Sequence, residues 1–325
     1  MKQQQFEQQW QDDWVQFEQR LLQLERRKTE DQGQNSYCAE YRRLCQHLAL
    51  AQERGYSSHL IERLQQLAQR GHQQLYRQRS QLAGQLLAFL FSGLPQTIRQ
   101  QWRSIAVASL LFYGSLIGMG VLVYLFPELV YSVVDPEQVE QMESMYDPEA
   151  RRLGHFSERN SGDDWQMFGF YIMNNIGIAF QTFASGLLFG LGSLFFLFFN
   201  GLMIGAVAGH LSEIGYGSTF WSFVIGHGAF ELTAITFAGA AGLQLGWALL
   251  APGRQSRSEA LRLAAAEAVK LVAGVILFLL IAAFIEAYWS SMTYTSAQVK
   301  LVVGAALWLL VASYCIFAGR QHAPD

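Results

Sequence analysis

His227 and Glu231 stand four residues apart in a stretch, Phe220 to Leu250, that is otherwise free of charge. On a helix this spacing puts both side chains on one face, within reach of each other. An ionised side chain in hydrocarbon costs at least about 2.5–3.5 kcal/mol on insertion scales. A neutral carboxyl group, or a carboxylate paired with a protonated imidazole, avoids much of that. Two readings of the pair stay open. In one it binds an ion, a proton or a substrate head group. In the other it ties helices together by hydrogen bonds. Glu286 lies near the end of a second apolar run, and Asn174, Asn175 and Asn200 interrupt a third. Asparagine side chains commonly hydrogen-bond between helices in membranes. The six residues form the expected intramembrane polar cluster, a ligand site or a helix-packing site.

Other chemistry finds little footing. A zinc peptidase carries His-Glu-x-x-His. Here the string is Gly226-His227-Gly228-Ala229-Phe230-Glu231, with no second histidine, and His210 stands apart. No Gly-Lys-Ser/Thr phosphate loop and no dinucleotide motif occurs. Three cysteines without CxxC spacing suggest neither a metal site nor a disulfide framework. The expectation is a non-enzymatic protein with no catalytic residue, no metal and no cofactor.

The elements that must position these residues are membrane helices. Trp165 to Ser212 is 48 residues without Asp, Glu, Lys or Arg. One crossing needs about 20 apolar residues, so this run holds two spans joined by a very short turn, dividing near Gly190 and Gly192, or a bent and re-entrant pair. Ser104 to Phe126 supplies an earlier span, closed by Pro127. A fourth lies within Phe220 to Leu250; it is long for one crossing, and a half-helix near 219–230 is an alternative. A fifth covers about Ala265 to Ala287, and a sixth Val299 to Phe317. Gly186-x-x-x-Gly190, Gly201-x-x-x-Gly205 and Gly205-x-x-x-Gly209 predict close helix approach.

Residues 1–101 differ sharply in being rich in Gln, Glu and Arg. Phe6, Trp10, Trp14, Phe17, Leu21 and Leu24 recur at helical spacing. A break around Gly33, a helix to Arg54, a stop at Gly55 and a third helix carrying Leu60, Ile61, Leu64, Leu67, Leu75 and Tyr76 follow. The basic residues here are matched by acids and glutamines, so a nucleic-acid partner is not expected. The fold class is therefore all-α: a polytopic membrane protein of about six spans, with a soluble helical domain over 1–101, a membrane domain over 102–320 and an extracytoplasmic loop at about 127–164. That loop carries ten acidic residues and three arginines, and Pro136 to Tyr146 suits a short amphipathic helix.

Orientation follows from the basic flanks. Arg99 and Arg103, then Arg254, Arg257 and Arg262, then Arg320 all fall on one side if both termini are cytoplasmic. Counted at about 1.5 Å per residue, Asn174, Asn175, Asn200, His227 and Glu286 then lie in the outer half of the bilayer. Glu231 lies one turn below His227, near the midplane.

Phe199-Asn200-Gly201-Leu202-Met203-Ile204-Gly205, Gly226-His227-Gly228-Ala229-Phe230-Glu231-Leu232-Thr233-Ala234-Ile235 and Ala238-Gly239-Ala240-Ala241-Gly242-Leu243 resemble the stage II sporulation protein M family. Asn174-Asn175 and Pro252-Gly253-Arg254 share the resemblance, which covers about residues 100–320. The N-terminal part, with Tyr41-Arg42-Arg43-Leu44-Cys45 and Gly71-His72-Gln73-Gln74-Leu75-Tyr76, looks like longer members from non-sporulating bacteria. The resemblance implies a multi-pass protein of the bacterial cytoplasmic (inner) membrane. Its sporulation namesake scaffolds cell-wall hydrolases, but that protein is shorter and lacks the cytoplasmic domain, so the engulfment role does not transfer. The longer relatives imply an assembly partner for a MoxR-type ATPase system, alongside membrane lipids and other envelope or cytoplasmic proteins. A homo-oligomer is compatible with this. The expected function is a scaffold in an envelope-associated complex. The alternative is a transporter or lipid-handling protein that uses the polar cluster.

Overall fold

The computed structural model describes residues 2–26, 34–149, 161–292 and 294–319. The expected break around Gly33, the second half of the acidic loop and the inward placement of Leu75 and Tyr76 lie outside the described residues. The chain forms two compact units, Met1–Ala88 and Phe89–Asp325. Composition put the change at residue 101. The compact units divide earlier because Leu90, Leu94 and Ile98 belong to the second unit. Leu94 is fully buried in its core, and the Leu90 carbonyl accepts a hydrogen bond from Tyr314.

The first unit is three helices: α1 (Gln3–Arg26), α2 (Gln34–Glu53) and α3 (Ser58–Ala88). The aromatic stripe of α1 turns inward as its spacing requires. Phe6, Trp14, Phe17 and Leu21 pack on Tyr37, Leu44 and Ala51 of α2 and on Leu60, Leu64 and Leu67 of α3. Trp14 buries its polar edge by donating from Nε1 to His47 Nδ1 at 3.1 Å. Tyr37 does the same by donating to the Gly71 carbonyl at 2.9 Å. Gly55, at φ +61°, ends α2: its N–H and that of Tyr56 bond back to the Gln52 and Ala51 carbonyls. A left-handed glycine closing the last turn in this way is a common helix stop.

The second unit contains α4 (Leu94–Gln100), α5 (Trp102–Leu125), α6 (Pro136–Tyr146), α7 (Ser161–Ala184), α8 (Leu191–Glu213), α9 (Gly217–Leu250), α10 (Arg257–Phe284) and α11 (Ala297–Phe317). A π-helical turn, Ile285–Ser290, prolongs α10. By length and apolarity, α5, α8, α9, α11 and the continuous α10–π-turn helix qualify as membrane spans. The amide-rich α7 falls short on hydropathy but traverses the bundle all the same. Its Met167 and Tyr171 pack on Ala283 and Ala287 at one end. At the other, the Thr182 carbonyl accepts from Ser193 Oγ at the start of α8. Among the described residues, α5 and α7–α11 thus make six passes of alternating direction.

Helix α9 is central and packs on α5, α7, α8, α10 and α11. It is one unbroken helix, so the half-helix near 219–230 does not form. At about 1.5 Å per residue its 34 residues span about 51 Å, against about 30 Å of bilayer hydrocarbon. The glycines set the close approaches. Gly201, Gly205 and Gly209 lie against backbone carbonyls of Phe112, Leu116 and Gly120 on α5. Gly186 lies against the backbone of Gly242, and Gly246 against that of Gly190. At these positions a side chain would meet another helix's main chain, which cannot rotate away.

A candidate intramembrane polar site

At one end of the bundle α6 is pinned onto α8 and α9. His210 Nε2 and Glu143 Oε1 lie 2.7 Å apart, and Thr219 Oγ1 donates to the Tyr146 carbonyl at 2.6 Å. The Tyr146 ring stands edge-on to Phe220 and Phe223. Burial pushes its phenol well above the usual tyrosine range, and the neighbouring Glu286, Tyr171 and Glu231 push it further the same way. Tyr146 therefore roofs a group of acids.

Beneath this roof lie His227, Glu231 and Glu286. One ligating atom from each falls within 4.8 Å of the other two. His227 Nε2 is 3.9 Å from Glu231 Oε2, too far for a hydrogen bond. On the far side of the ring, Nδ1 is 3.1 Å from Ser290 Oγ. Lys300, only 3% exposed, donates from Nζ to the Ser290 carbonyl at 2.6 Å. The site is thus assembled from α9, the π-turn after α10 and the first turn of α11. Tyr171 of α7 and Tyr146 of α6 stand close by.

Counting along span four alone put Glu231 near the midplane and Glu286 near an outer end. The fold sets the two level, because the first turns of α9 project past the end of α10 to meet α6. Glu231 is therefore within a few helical residues of the α6 end of the bundle, measured on α10.

Of the six residues singled out in the sequence, the fold joins His227, Glu231 and Glu286. The asparagines hydrogen-bond along their own helices. Asn200 Nδ2 donates to the Phe196 carbonyl at 2.7 Å, and Asn174 Nδ2 to Asn175 Oδ1 at 3.0 Å. Asn175 is buried and Asn174 is exposed. Sequence reasoning missed Ser290, Tyr146 and Lys300. The first two carry no signal on their own. Lys300 did: a lysine inside a predicted span is expensive unless it finds an acceptor.

The fold and this site define a multi-span α-helical membrane protein with a convergent His–carboxylate group between its helices. Comparison with known proteins specifies it further. Residues 105–291 match the family Stage II sporulation protein M, and the chain belongs to that family. The matched segment contains His227, Glu231, Glu286 and Ser290 and stops short of Lys300. Residues 4–77 match a separate domain of unknown function (DUF8413), which coincides with the core of the three-helix unit. No curated protein and no solved structure matches the chain.

Proposed function

We propose that this protein is a non-enzymatic scaffold of the bacterial inner membrane, an assembly partner in an envelope-associated complex. The observation that carries the reading is the two-unit build. A three-helix unit with its own aromatic core, matching a domain found as a family in its own right, is joined to a membrane bundle whose helices are locked by backbone-to-backbone glycine contacts. Such a bundle suits a fixed platform. Both termini face the cytoplasm in this reading, because every basic flank then lies inside. The alternating passes of α5 and α7–α11 support an even number of crossings. The three-helix unit receives a cytoplasmic partner, of which a MoxR-type ATPase system is the first to try. The acidic segment around α6 meets an envelope partner, in a setting of membrane lipids and, where copies associate, a homo-oligomer.

The second reading, a transporter or lipid-handling protein, is favoured by the group formed by buried His227 with half-buried Glu231 and Glu286. Two measurements separate them. Cysteine labelling from outside whole cells is expected to reach 128–149 and not 253–257; labelling of the basic turn from outside would sink the topology. Purification from native membranes is expected to yield a stable complex that persists in Glu231→Gln and is lost when residues 2–88 are removed. Solitary purification, together with a phenotype that follows Glu231 alone, would favour the transporter.

A further inference from the structure

We propose that His227 Nε2, Glu231 and Glu286 bind one divalent transition-metal ion, of which zinc is the type, at the α6 end of the membrane bundle. The inference stands whether or not the scaffold reading does.

Its first support is geometric. Ligand atoms around a tetrahedral zinc, with bonds of about 2.0–2.1 Å, lie about 3.4 Å from one another. His227 Nε2 and Glu231 Oε2 are 3.9 Å apart, and all three ligating atoms fall within 4.8 Å. The His227–Glu231 separation is too long for a direct hydrogen bond and slightly long for a closed coordination shell, which a change of glutamate rotamer would tighten. One imidazole and two carboxylates form a nitrogen–oxygen donor set suited to zinc or manganese.

The second support is how the histidine is held. A metal-binding imidazole typically donates its other N–H to a fixed acceptor, which sets the tautomer and aims the lone pair. Here Nδ1 faces Ser290 Oγ at 3.1 Å. With Nδ1–H donating to that oxygen, Nε2 carries the lone pair and points toward Glu231. The residue bearing that oxygen is itself anchored, since the Ser290 carbonyl accepts from Lys300.

The third support is charge. Two carboxylates brought together inside a helical bundle repel each other unless a cation or a shared proton intervenes. A dication neutralises both and gains the imidazole, whereas a proton gains only the carboxylates. The ligands come from α9 and from the π-turn after α10, so the ion would clamp these elements beneath Tyr146.

The test uses the full-length, tag-free protein in detergent, stripped with a chelator. It is titrated with zinc alone and with manganese alone, and bound metal is counted by equilibrium dialysis with elemental analysis. About one saturable ion per chain is expected for at least one of the two metals. Affinity should fall at least tenfold in Glu231→Gln and in Glu286→Gln. It should fall by about 10–100-fold in Ser290→Ala, through the aim of His227. It should be unchanged in His210→Gln, which removes the separate His210–Glu143 pair. If the glutamate variants do not fold, cobalt loading of the wild-type protein decides. Absorption bands of a nitrogen–oxygen set support the site, and a thiolate charge-transfer band would move the ion to a cysteine and overturn it. Absence of saturable binding, or undiminished binding in both glutamate variants, would also overturn it; a shared-proton pair would behave in this way.

Discussion

Gly205→Ala adds one methyl group at the crossing of α5 and α8, and its effect is set by what that methyl meets. An ideal Cβ on Gly205 collides with the carbonyl oxygen of Leu116, a main-chain atom of the facing helix. Non-bonded heavy atoms need roughly 3.5 Å or more, so the helices must separate by about 1 Å. That separation loosens the neighbouring contacts of Gly201 with Phe112 and of Gly209 with Gly120, which share the seam. Overpacking of this kind costs about 1–3 kcal/mol. Gly118 on α5 is the control, because a Cβ there meets nothing within 4 Å. Gly118→Ala should stay within about 1 kcal/mol of wild type, on the favourable side, from helix propensity alone. For a unit of this size each kcal/mol moves the melting temperature by about 2–4 °C. Thermal unfolding of the purified protein in detergent should therefore show Gly205→Ala about 2–12 °C below wild type and Gly118→Ala level or slightly above. Equal melting temperatures for the two variants would refute the close approach of α5 and α8.

Two further outcomes are expected. His47 is buried and accepts the Trp14 N–H, so the folded three-helix unit prefers its neutral ring; burial lowers its pKa, Arg43 adds to this and Asp13 opposes it. The unfolded chain then binds the proton more readily, and stability is fully present above about pH 6.5 and declines as pH falls below it. The urea midpoint of a fragment spanning 1–88 should drop between pH 7.5 and 5.5, and His47→Gln should flatten that drop; an equal drop in both would remove His47 as the cause. In the membrane unit, Glu231→Gln should leave membrane abundance near normal because shape and polarity persist. Glu231→Leu sets an apolar side chain beside His227 and Glu286 and should lower abundance on a quantitative blot; equal abundance of the two variants would argue that the polar character of Glu231 does not stabilise the fold.

Local pattern carried much of the architecture. The stripe of Phe6, Trp14 and Phe17 has a helical period, so only one face of α1 was available to build a core. The stop at Gly55, the short helix from Pro136 to Tyr146 and the limits of α8 and α11 all follow from residues close in sequence. So did the use of the small-residue repeats for helix packing, since Gly201, Gly205 and Gly209 fall on one face whatever lies opposite. The fourth span was less legible. Hydropathy shows where apolar residues are and not whether a helix continues through them unbroken, so the half-helix near 219–230 stayed open until the continuous α9 closed it. The traverse by α7 was legible from the absence of charge in 165–212, even though its amides hold its hydropathy below that of the other passes.

By itself, then, the sequence determined the all-α class, the division into a polar helical part and an apolar part, and the pairing of His227 with Glu231. Each of these depends on composition or on spacing within a single helix. Tertiary structure brought Glu286, already expected in the cluster, beside that pair, and it alone decided that Ser290 stands there too, that Lys300 anchors Ser290 and that Tyr146 lies close by. It also decided that Asn174, Asn175 and Asn200 turn to partners on their own helices. The physical reason is that a polar side chain in a helix bundle is stabilised by partners within hydrogen-bond reach. Which partner lies within reach depends on the relative depth and rotation of helices, and these are set by where glycines allow backbones to touch.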